Sequence, residues 1–388
     1  MGGFGVKRYA GNDCVGPKYH LSVLSPKDLS VSENLDLPFD NNETVYGGSC
    51  GGLLYFHGLK GQIFIVNLTT NESITVPPPN FEPLPSVGSM RTSGLGYDVK
   101  SGDYKVIRMY DQYYYNEADK DGVERYLGDK NFFELYSFKC GSWKELRRPD
   151  IWVHNGTGVY VEETGMCYWS ASYNTTVEEY FKRLASYKEL LQSRASFDGS
   201  LDSLLHHVLS FDLATESFRQ FPLSATAIGV FAMYKLVKYH GSLGAFVYDN
   251  CDSPSSSEFS IELFVRKGRW WELVYAVSLA DVRKALGLGD NCLFLEAKPR
   301  CDRSRLMIYY LATKTLKELD IYDAPGIMSV ISYAESTGPP QPDSIPKANY
   351  DFSRNERSMK GKKGKKRRSK KRKGKGKKRK PHSRKHHR

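Results

Sequence analysis

Two short motifs contain the residues that could act as a nucleophile or bind a metal ion. Gly47-Gly-Ser49-Cys-Gly51 fits the pattern G-x-S-x-G, which in hydrolases places a serine nucleophile on a turn between a strand and a helix. Here the motif leads into Leu53-Leu-Tyr-Phe56, which is typical of a strand, and no Asp and His partners can be assigned. His206-His207 lies near Asp202, but a metal site needs further ligands that no spacing identifies. We therefore predict a glycine turn and ordinary surface or edge histidines, with no catalytic residue, metal or cofactor.

The C-terminal tail, residues 360–388, has the chemistry of a polyanion-binding segment. Nineteen of the chain's 56 Lys and Arg residues and none of its 44 Asp and Glu residues lie there, so residues 1–359 carry −7 although the whole chain carries +12. A segment that cannot bury apolar surface or offset its own repulsion is predicted to be disordered. Basic clusters of this kind are read by nuclear import receptors. The clusters are Lys365, Lys366, Arg367 and Arg368; Lys370, Lys371, Arg372 and Lys373; and Lys377, Lys378, Arg379 and Lys380.

The same charges could neutralise the phosphates of RNA or DNA without regard to sequence. Engaging about ten phosphates would give a log–log salt slope of roughly −9 on duplex DNA or −7 on single strands. No aromatic residue is interleaved, so base stacking is not encoded. We predict a location in the nucleus, including the nucleolus, as well as in the cytoplasm. The alternative role for the tail is that of a solubilising arm or an arm for anionic membranes.

Tyr113, Tyr114 and Tyr115 are predicted to lie in a long polar and aromatic loop between two strands. Tyrosines offer large contact area at low entropic cost and are enriched in recognition surfaces. The loop is therefore a candidate partner-binding segment. The alternative is a solvated connection whose tyrosines fold back on the sheet.

The cysteine spacing and the lack of an apolar targeting or membrane segment predict the compartment of the protein. Its seven cysteines lie far apart without any C-x-x-C pair, so neither a zinc knuckle nor a disulfide framework is indicated. The N-terminus has no apolar signal-peptide core, and no stretch approaches 18 uninterrupted apolar residues. We expect an intracellular, reduced protein without a membrane span.

Short aromatic and β-branched runs between Gly, Asn, Asp, Ser and Pro clusters indicate an all-β fold. Five segments share a strand–turn–strand pattern, beginning at Ile63, Phe133, Val208, Ile261 and Leu306. Further strand candidates precede or follow them, so that an inner pair and an outer hairpin would make a four-stranded blade. Such repetition predicts a kelch-like β-propeller of about five to seven blades. To close the ring, we predict that a strand near Met328 pairs with the first blade near Leu53.

Two segments have helical spacing instead. The segment TVEEYFKRLASYKELLQSRA, residues 176–195, places apolar residues three or four apart and predicts one inserted helix. Glu178 and Glu179 stand in its first turn, where the helix dipole favours acids. A shorter helix is predicted after Ser278, through Leu279, Val282 and Leu286. The tryptophans Trp143, Trp169, Trp270 and Trp271 are expected to pack in the core or between blades.

The order of these segments resembles the plant F-box-associated domain family, the F-box and kelch-type substrate receptors. Gly48-Ser-Cys-Gly-Gly-Leu-Leu54 is similar to that family's opening motif, and Ile63 to Ser73 to its next strand and turn. Gly94-Leu-Gly-Tyr-Asp98 with Asp103-Tyr-Lys-Val106, and Glu134-Leu-Tyr-Ser-Phe138 with Gly141-Ser-Trp143, resemble two later motifs. The resemblance implies a non-catalytic propeller that recognises substrates for a cullin–RING ubiquitin ligase.

The resemblance also sets the expected domain boundaries. Residues 1–18 are predicted to be an N-terminal extension without the F-box that family members carry, and residues 19–336 to be the propeller. Residues 337–359, with Pro339-Pro-Gln-Pro342, form the expected linker to the tail at 360–388. Ligase subunits are then partners only if an F-box is supplied from elsewhere.

Two functions remain open at this point. The first is the substrate-recognition part of an SCF-type ubiquitin ligase receptor, with a protein substrate as its partner. The second is a nuclear or nucleolar scaffold whose tail binds RNA or DNA while the propeller recruits proteins. An enzyme on the same fold would need metal ligands or paired carboxylates in the central channel, and the sequence assigns none.

Overall fold

The computed structural model describes a large part of the chain as strands. The described residues are 2–10, 18–25, 28–38, 45–58, 60–68, 70, 72–79, 87–115, 126–149, 151–154, 156–172, 206–223, 232–249, 258–289, 291–298, 303–323 and 328–334. Within these ranges there is no helix. The strands are β1 (Gly2–Ala10), β2 (Lys18–Leu24), β3 (Val31–Asp36), β4 (Val45–Cys50), β5 (Leu53–Gly58), β6 (Ile63–Asn67), β7 (Glu72–Thr75), β8 (Val87–Asp98), β9 (Asp103–Tyr115), β10 (Tyr126–Ser137), β11 (Ser142–Glu145), β12 (Trp152–Val153), β13 (Gly156–Thr157), β14 (Val159–Val161), β15 (Met166–Ser172), β16 (His207–Asp212), β17 (Ser217–Pro222), β18 (Ala232–Tyr239), β19 (Ser242–Asp249), β20 (Glu258–Lys267), β21 (Trp270–Ala280), β22 (Val282–Leu288), β23 (Cys292–Ala297), β24 (Ser304–Tyr310), β25 (Thr315–Asp323) and β26 (Ser329–Ala334).

The strands form six sheets arranged as the blades of a propeller. Blade I has the order β26-β1-β2-β3, blade II β4 to β7, blade V β18 to β21 and blade VI β22 to β25. Blade III consists of β8 to β11 with β13 at its inner edge, and blade IV of β12 and β14 to β17. The innermost strands of successive blades contact each other around the whole ring. The predicted all-β propeller is therefore confirmed, with six blades in the described part.

All five hairpins predicted from the sequence are confirmed as the outer halves of blades II to VI. Their strand pairs are β6 with β7, β10 with β11, β16 with β17, β20 with β21, and β24 with β25. Apolar residues at every second position pack against the neighbouring blade, and buried clusters fill the spaces between blades. Outer strands such as β21 and β25 alternate in exposure over part of their length, whereas β5 and β6 are buried throughout, and both patterns indicate strands.

The ring closes differently from the prediction. The strand near Met328 is β26, and it pairs with β1, in the register Val6 to Val330, and not with the strand at Leu53. Residues 2–10 are thus part of blade I, and the expected extension over residues 1–18 is wrong for this stretch. The physical reason is that an inner strand from the C-terminus needs an antiparallel neighbour, and β1 supplies it. Blade II meets β26 by packing of β4 and by the bond from Ser49 Oγ to Ser332 O at 2.6 Å.

The short helix predicted after Ser278 is also wrong, because this stretch forms the end of β21 and the strand β22. Two bulges in the pairing of β22 with β23, at Val282/Lys284 and Ala285/Gly287, shift the phase of the alternation. They leave Val282, Ala285, Leu286 and Leu288 buried, a spacing that imitates a helix. The helix predicted over residues 176–195, the linker and the tail lie outside the described residues.

The two faces of the propeller are built differently. In blades II to VI, the turns that follow the inner strand and the third strand span two to four residues, and we call this side the turn face. Several of these turns contain a glycine with positive φ, as at Gly102, Gly141, Gly165 and Gly268. The opposite side is the loop face, where the inner strands begin, at Val45, Val87, Trp152, Ala232, Val282 and Ser329. The strand ends that flank the long segments 116–125, 173–206 and 250–257 all lie on the loop face.

Candidate functional site

The predicted tyrosine segment belongs to the loop face. Tyr113, Tyr114 and Tyr115 are not in a loop: they form the end of β9, where the backbone pairs with Asp129, Gly128 and Tyr126 of β10. The strands β8, β9 and β10 have 12, 13 and 12 residues, longer than any strand in blade II. Because β9 starts at the turn face, its extra length extends blade III on the loop face. The segment remains a candidate for partner contact.

A buried polar junction connects blades II, III and IV near the start of their inner strands. The strands β12 and β14 pair with β15 in blade IV, whereas the intervening β13 pairs in parallel with β8 in blade III. Gly156 in β13 has φ 145°, a conformation that side chains with a Cβ rarely adopt. Its carbonyl oxygen accepts bonds from His57 Nε2 at 2.8 Å and from Thr92 Oγ1 at 2.9 Å. The exchanged strand thus ties together three blades by hydrogen bonds.

Histidines at this face are held neutral. His57 is fully buried and stacks on Tyr46, with ring centroids 5.2 Å apart. Burial lowers the pKa of His57 to about 4, although the bond to Gly156 O partly opposes this shift. Burial also lowers the pKa of His206 to about 4, and the neighbouring His154 and His207 lower it further. Since Nε2 of His57 donates to a carbonyl, the neutral ring carries its proton on that atom.

Acid is therefore expected to destabilise the propeller through His57. The unfolded histidine titrates near pH 6.5 and the folded one near 4, so the unfolded state binds more protons in this window. Stability is full above about pH 6.5 and should fall by about 1 kcal/mol per pH unit as pH drops towards 4. Urea unfolding at pH 7, 6 and 5 measures this dependence.

The variant His57→Gln isolates the effect, because its amide can still donate to Gly156 O but does not titrate. It should be less stable at pH 7 and lose less stability than the parent chain between pH 7 and 5. His240→Asn is the control, since His240 is exposed on a turn and, with φ 43°, tolerates asparagine. Parallel pH profiles for the parent chain and His57→Gln would show that this histidine does not carry the effect.

The residues considered as a nucleophile or as metal ligands lie in strands and next to turns, where they contribute to the fold. Ser49 pairs with Leu54 near the turn end of the hairpin β4–β5, and Gly51, with φ 58°, makes the turn into β5, as predicted. His207 begins β16 and is buried, while the ring of His206 meets Tyr234 edge-on at 5.2 Å. In the described ranges, no three His, Cys, Asp or Glu side chains are grouped so as to hold a metal ion. None of the described residues forms a helix of the length and apolar character needed to cross a membrane.

The tryptophans divide into packing and surface residues. Trp169 is 2% exposed in the largest core cluster, and Trp143 and Trp271 pack partly buried against the clusters on either side of blade IV. Trp270 is 78% exposed, so its predicted packing role is wrong. It starts the outermost strand of blade V directly after a two-residue turn, where no neighbouring blade covers it.

Sequence reasoning missed two groups of basic residues. A groove of about 420 Å³ between the outer strands of blades III and IV is lined by Arg147, Arg148 and Arg219 beside Phe218 and Glu216. Lys7, Lys235 and Lys284 gather on the loop face, from three different blades. No local motif could reveal either group, because its members are far apart in the chain. The tail clusters predicted to bind import receptors or nucleic acid lie outside the described residues.

The geometry defines a class of protein. It is a six-bladed propeller with short turns on the turn face and the strand ends that flank the long segments on the loop face. Residues 20–233 match the F-box associated beta propeller domain. This is more than half of the chain, and the protein belongs to that family. Propellers of this family are generally protein-binding, non-catalytic domains.

The matches beyond the family are distant. No curated protein matches the chain by sequence. A DUF4784 family protein from Bacteroides caccae ATCC 43185 is 12% identical, with a TM-score of 0.39 over 85% of this chain and 73% of that protein. The NanB sialidase from Streptococcus pneumoniae is 10% identical, with a TM-score of 0.39, and the match covers 76% of this chain and 64% of the sialidase.

Proposed function

We propose that this propeller is the substrate-recognition part of an SCF-type, cullin–RING ubiquitin ligase receptor. It binds a target protein so that the ligase can ubiquitinate it, and it does no covalent chemistry itself. The observation that carries the proposal is membership of the F-box associated propeller family over residues 20–233. On this proposal the ligase subunits join the receptor through an F-box, in this protein or in another subunit.

The difference between the two faces supports a binding site on the loop face. A rigid scaffold that presents long connections on one side is a common arrangement for recognition, because connections can vary without disturbing the core. The short turns of the other face offer little surface that can adapt to a partner. The projecting end of β9, with Tyr113 to Tyr115, stands beside one of the long connections.

A non-catalytic role is supported by the settings of the reactive groups. Ser49 Oγ donates to a backbone carbonyl across the blade boundary, which is the bond of a structural serine. The thiols of Cys50 and Cys167 are buried, and burial raises the pKa of both. A buried thiol of raised pKa is a poor nucleophile.

Affinity purification of the protein with its native N-terminus tests the ligase role. The expected result is co-purification of a cullin and its adaptor together with a target protein. Replacing Tyr113, Tyr114 and Tyr115 by alanine should reduce target capture at least tenfold and leave the ligase subunits unchanged. The control is Lys267→Ala with Lys314→Ala on the turn face, which should change neither. Target capture without any cullin, adaptor or F-box partner would leave a binding propeller and remove the ligase role.

A second candidate function follows from the tail. Its three basic clusters support nuclear import, and its density of positive charge supports binding of RNA or DNA. On this proposal the chain is a nuclear or nucleolar scaffold that also occurs in the cytoplasm, with the propeller recruiting proteins to nucleic acid. The two functions are compatible, and removing the tail separates them.

A further inference from the structure

Three lysines from blades I, V and VI converge near the starts of the inner strands. Lys7 in β1 lies opposite Ser329, the first residue of the inner strand β26. Its ammonium donates to Val45 O, at the start of the inner strand of blade II. Lys235 in the inner strand β18 donates through Nζ to Leu286 O at 2.5 Å, on the strand that carries Lys284. Each of these two ammonium groups thus reaches across to the inner strand of the next blade.

The cluster has more positive charge than nearby negative charge. Burial lowers the pKa of Lys235 to about 7, and repulsion from Lys284 and Lys7 contributes. Burial likewise lowers the pKa of Lys7 to about 8, with attraction by Asp323 acting in the opposite direction. Glu296 stands opposite Lys284 in the strand pairing, but its carboxylate pairs with Arg283 at 3.6 Å. Within the described residues, neither Lys235 nor Lys284 forms an ion pair.

We propose that Lys7, Lys235 and Lys284 form a binding site for a doubly charged oxyanion of the phosphate or sulfate type. Lys7 and Lys235 are withdrawn from water and lie close enough to Lys284 to be repelled by it, which is costly unless an opposite charge compensates the cluster. An oxyanion offers several acceptor oxygens, which suits donors that approach from three blades. The anion is either free in solution or part of a phosphorylated side chain. This site does not depend on the proposed ligase role.

Calorimetric titration of the full chain with sodium sulfate tests the site, with chloride used to keep ionic strength constant. The test variant is Lys235→Met with Lys284→Met, and the matched control is Lys267→Met with Lys317→Met, two exposed lysines outside the cluster. The affinity of sulfate for the test variant should be at least tenfold lower than its affinity for the parent chain or for the control variant. Both variants keep the tail and have the same net charge, so nonspecific binding by the tail cancels.

The pH dependence provides a second readout. Sulfate keeps its double charge between pH 6.5 and 8.5, so a change in affinity reports on the protein. Since the lysines must be charged to bind it, affinity should fall by about tenfold over this range, with proton uptake on binding. The double methionine variant should lose the part of this dependence that comes from Lys235, whose pKa is about 7, and keep only the part that comes from Lys7. Its melting temperature should be equal or higher, because two poorly compensated charges are removed; if it unfolds, Lys284→Met alone replaces it.

The source of the anion is decided by comparing inorganic phosphate with a phosphoserine peptide and its serine counterpart. Binding of phosphate and of the phosphopeptide, but not of the serine peptide, would identify a general oxyanion site. Binding of the phosphopeptide alone would identify a site for a modified protein partner. Equal affinities of the parent, the test variant and the control for all three ligands would overturn the proposal.

Discussion

Replacing Trp169 by alanine is expected to lower the free energy of unfolding by about 3–5 kcal/mol. Trp169 is 2% exposed and belongs to the largest fully buried side chains of the propeller. It lies on β15 of blade IV, and its indole Nε1 donates to Ser93 O of blade III at 3.1 Å. The substitution would therefore open a cavity and leave a buried carbonyl with one partner fewer, at the boundary between two blades.

The surroundings of Trp169 make relaxation around the cavity difficult. The ring lies against Gly94 and Gly158, where an added Cβ would come within 2.6 Å of the indole. These glycines contribute only backbone, held by strand pairing at Gly94 and by the bond from Gly158 N to Ser93 O, so they cannot fill the space. The cost of a large-to-small substitution rises with the volume that stays empty.

Urea unfolding followed by far-UV circular dichroism measures the loss. Trp270→Ala removes the same side chain from a position that is 78% exposed, and it should change stability by no more than about 0.5 kcal/mol. A loss below about 1 kcal/mol for Trp169→Ala would mean that the blade boundary repacks. Equal losses for the two variants would contradict the division between packing and surface tryptophans.

The outer hairpins could be predicted because each is a local feature. A hairpin such as Ile63 to Thr75 contains its alternation, its polar turn and its partner strand within a dozen or so residues. The sixth blade could not be predicted in this way, since β26 and β1 come from opposite ends of the described chain. The segment Gly2–Ala10 also contains three glycines, which weaken the strand signal.

Local irregularities account for other differences between the sequence-based predictions and the structure. The exchange of β13 between blades involves only Gly156 and Thr157, and two residues carry no periodicity. Bulges made β22 look helical. The lysine cluster joins positions 7, 235 and 284, so only the closed ring brings them together. The sequence therefore predicts the repeating unit and the family, whereas the sites formed between blades required the structure.

Deleting residues 360–388 is expected to abolish most binding to duplex DNA and to structureless RNA. The propeller and linker that remain carry a net charge of −7, so they repel a polyanion, whereas the tail brings 19 positive side chains. If about ten of these engage phosphates, the full chain should lose about 10⁵-fold in affinity between 50 and 200 mM salt. Fluorescence anisotropy with a labelled duplex across this range measures the slope.

Two variants separate charge from sequence in the tail. Exchanging every tail lysine for arginine keeps the charge, so the slope should stay near −9 on duplex DNA. Exchanging Lys370, Lys371, Arg372 and Lys373 for glutamine removes four charges, and the slope should become smaller by about four units if all four contact phosphates. The same glutamine variant, fused to a fluorescent protein, should enter the nucleus less efficiently if this cluster serves import.

If the deletion of residues 360–388 left the slope unchanged, the phosphate contacts would have to lie on the propeller. Lys7, Lys235, Lys284 and the arginine-lined groove would then be the groups to test. If the slope vanished while target capture persisted, the tail would act as an address or anchor for a propeller that recognises proteins independently.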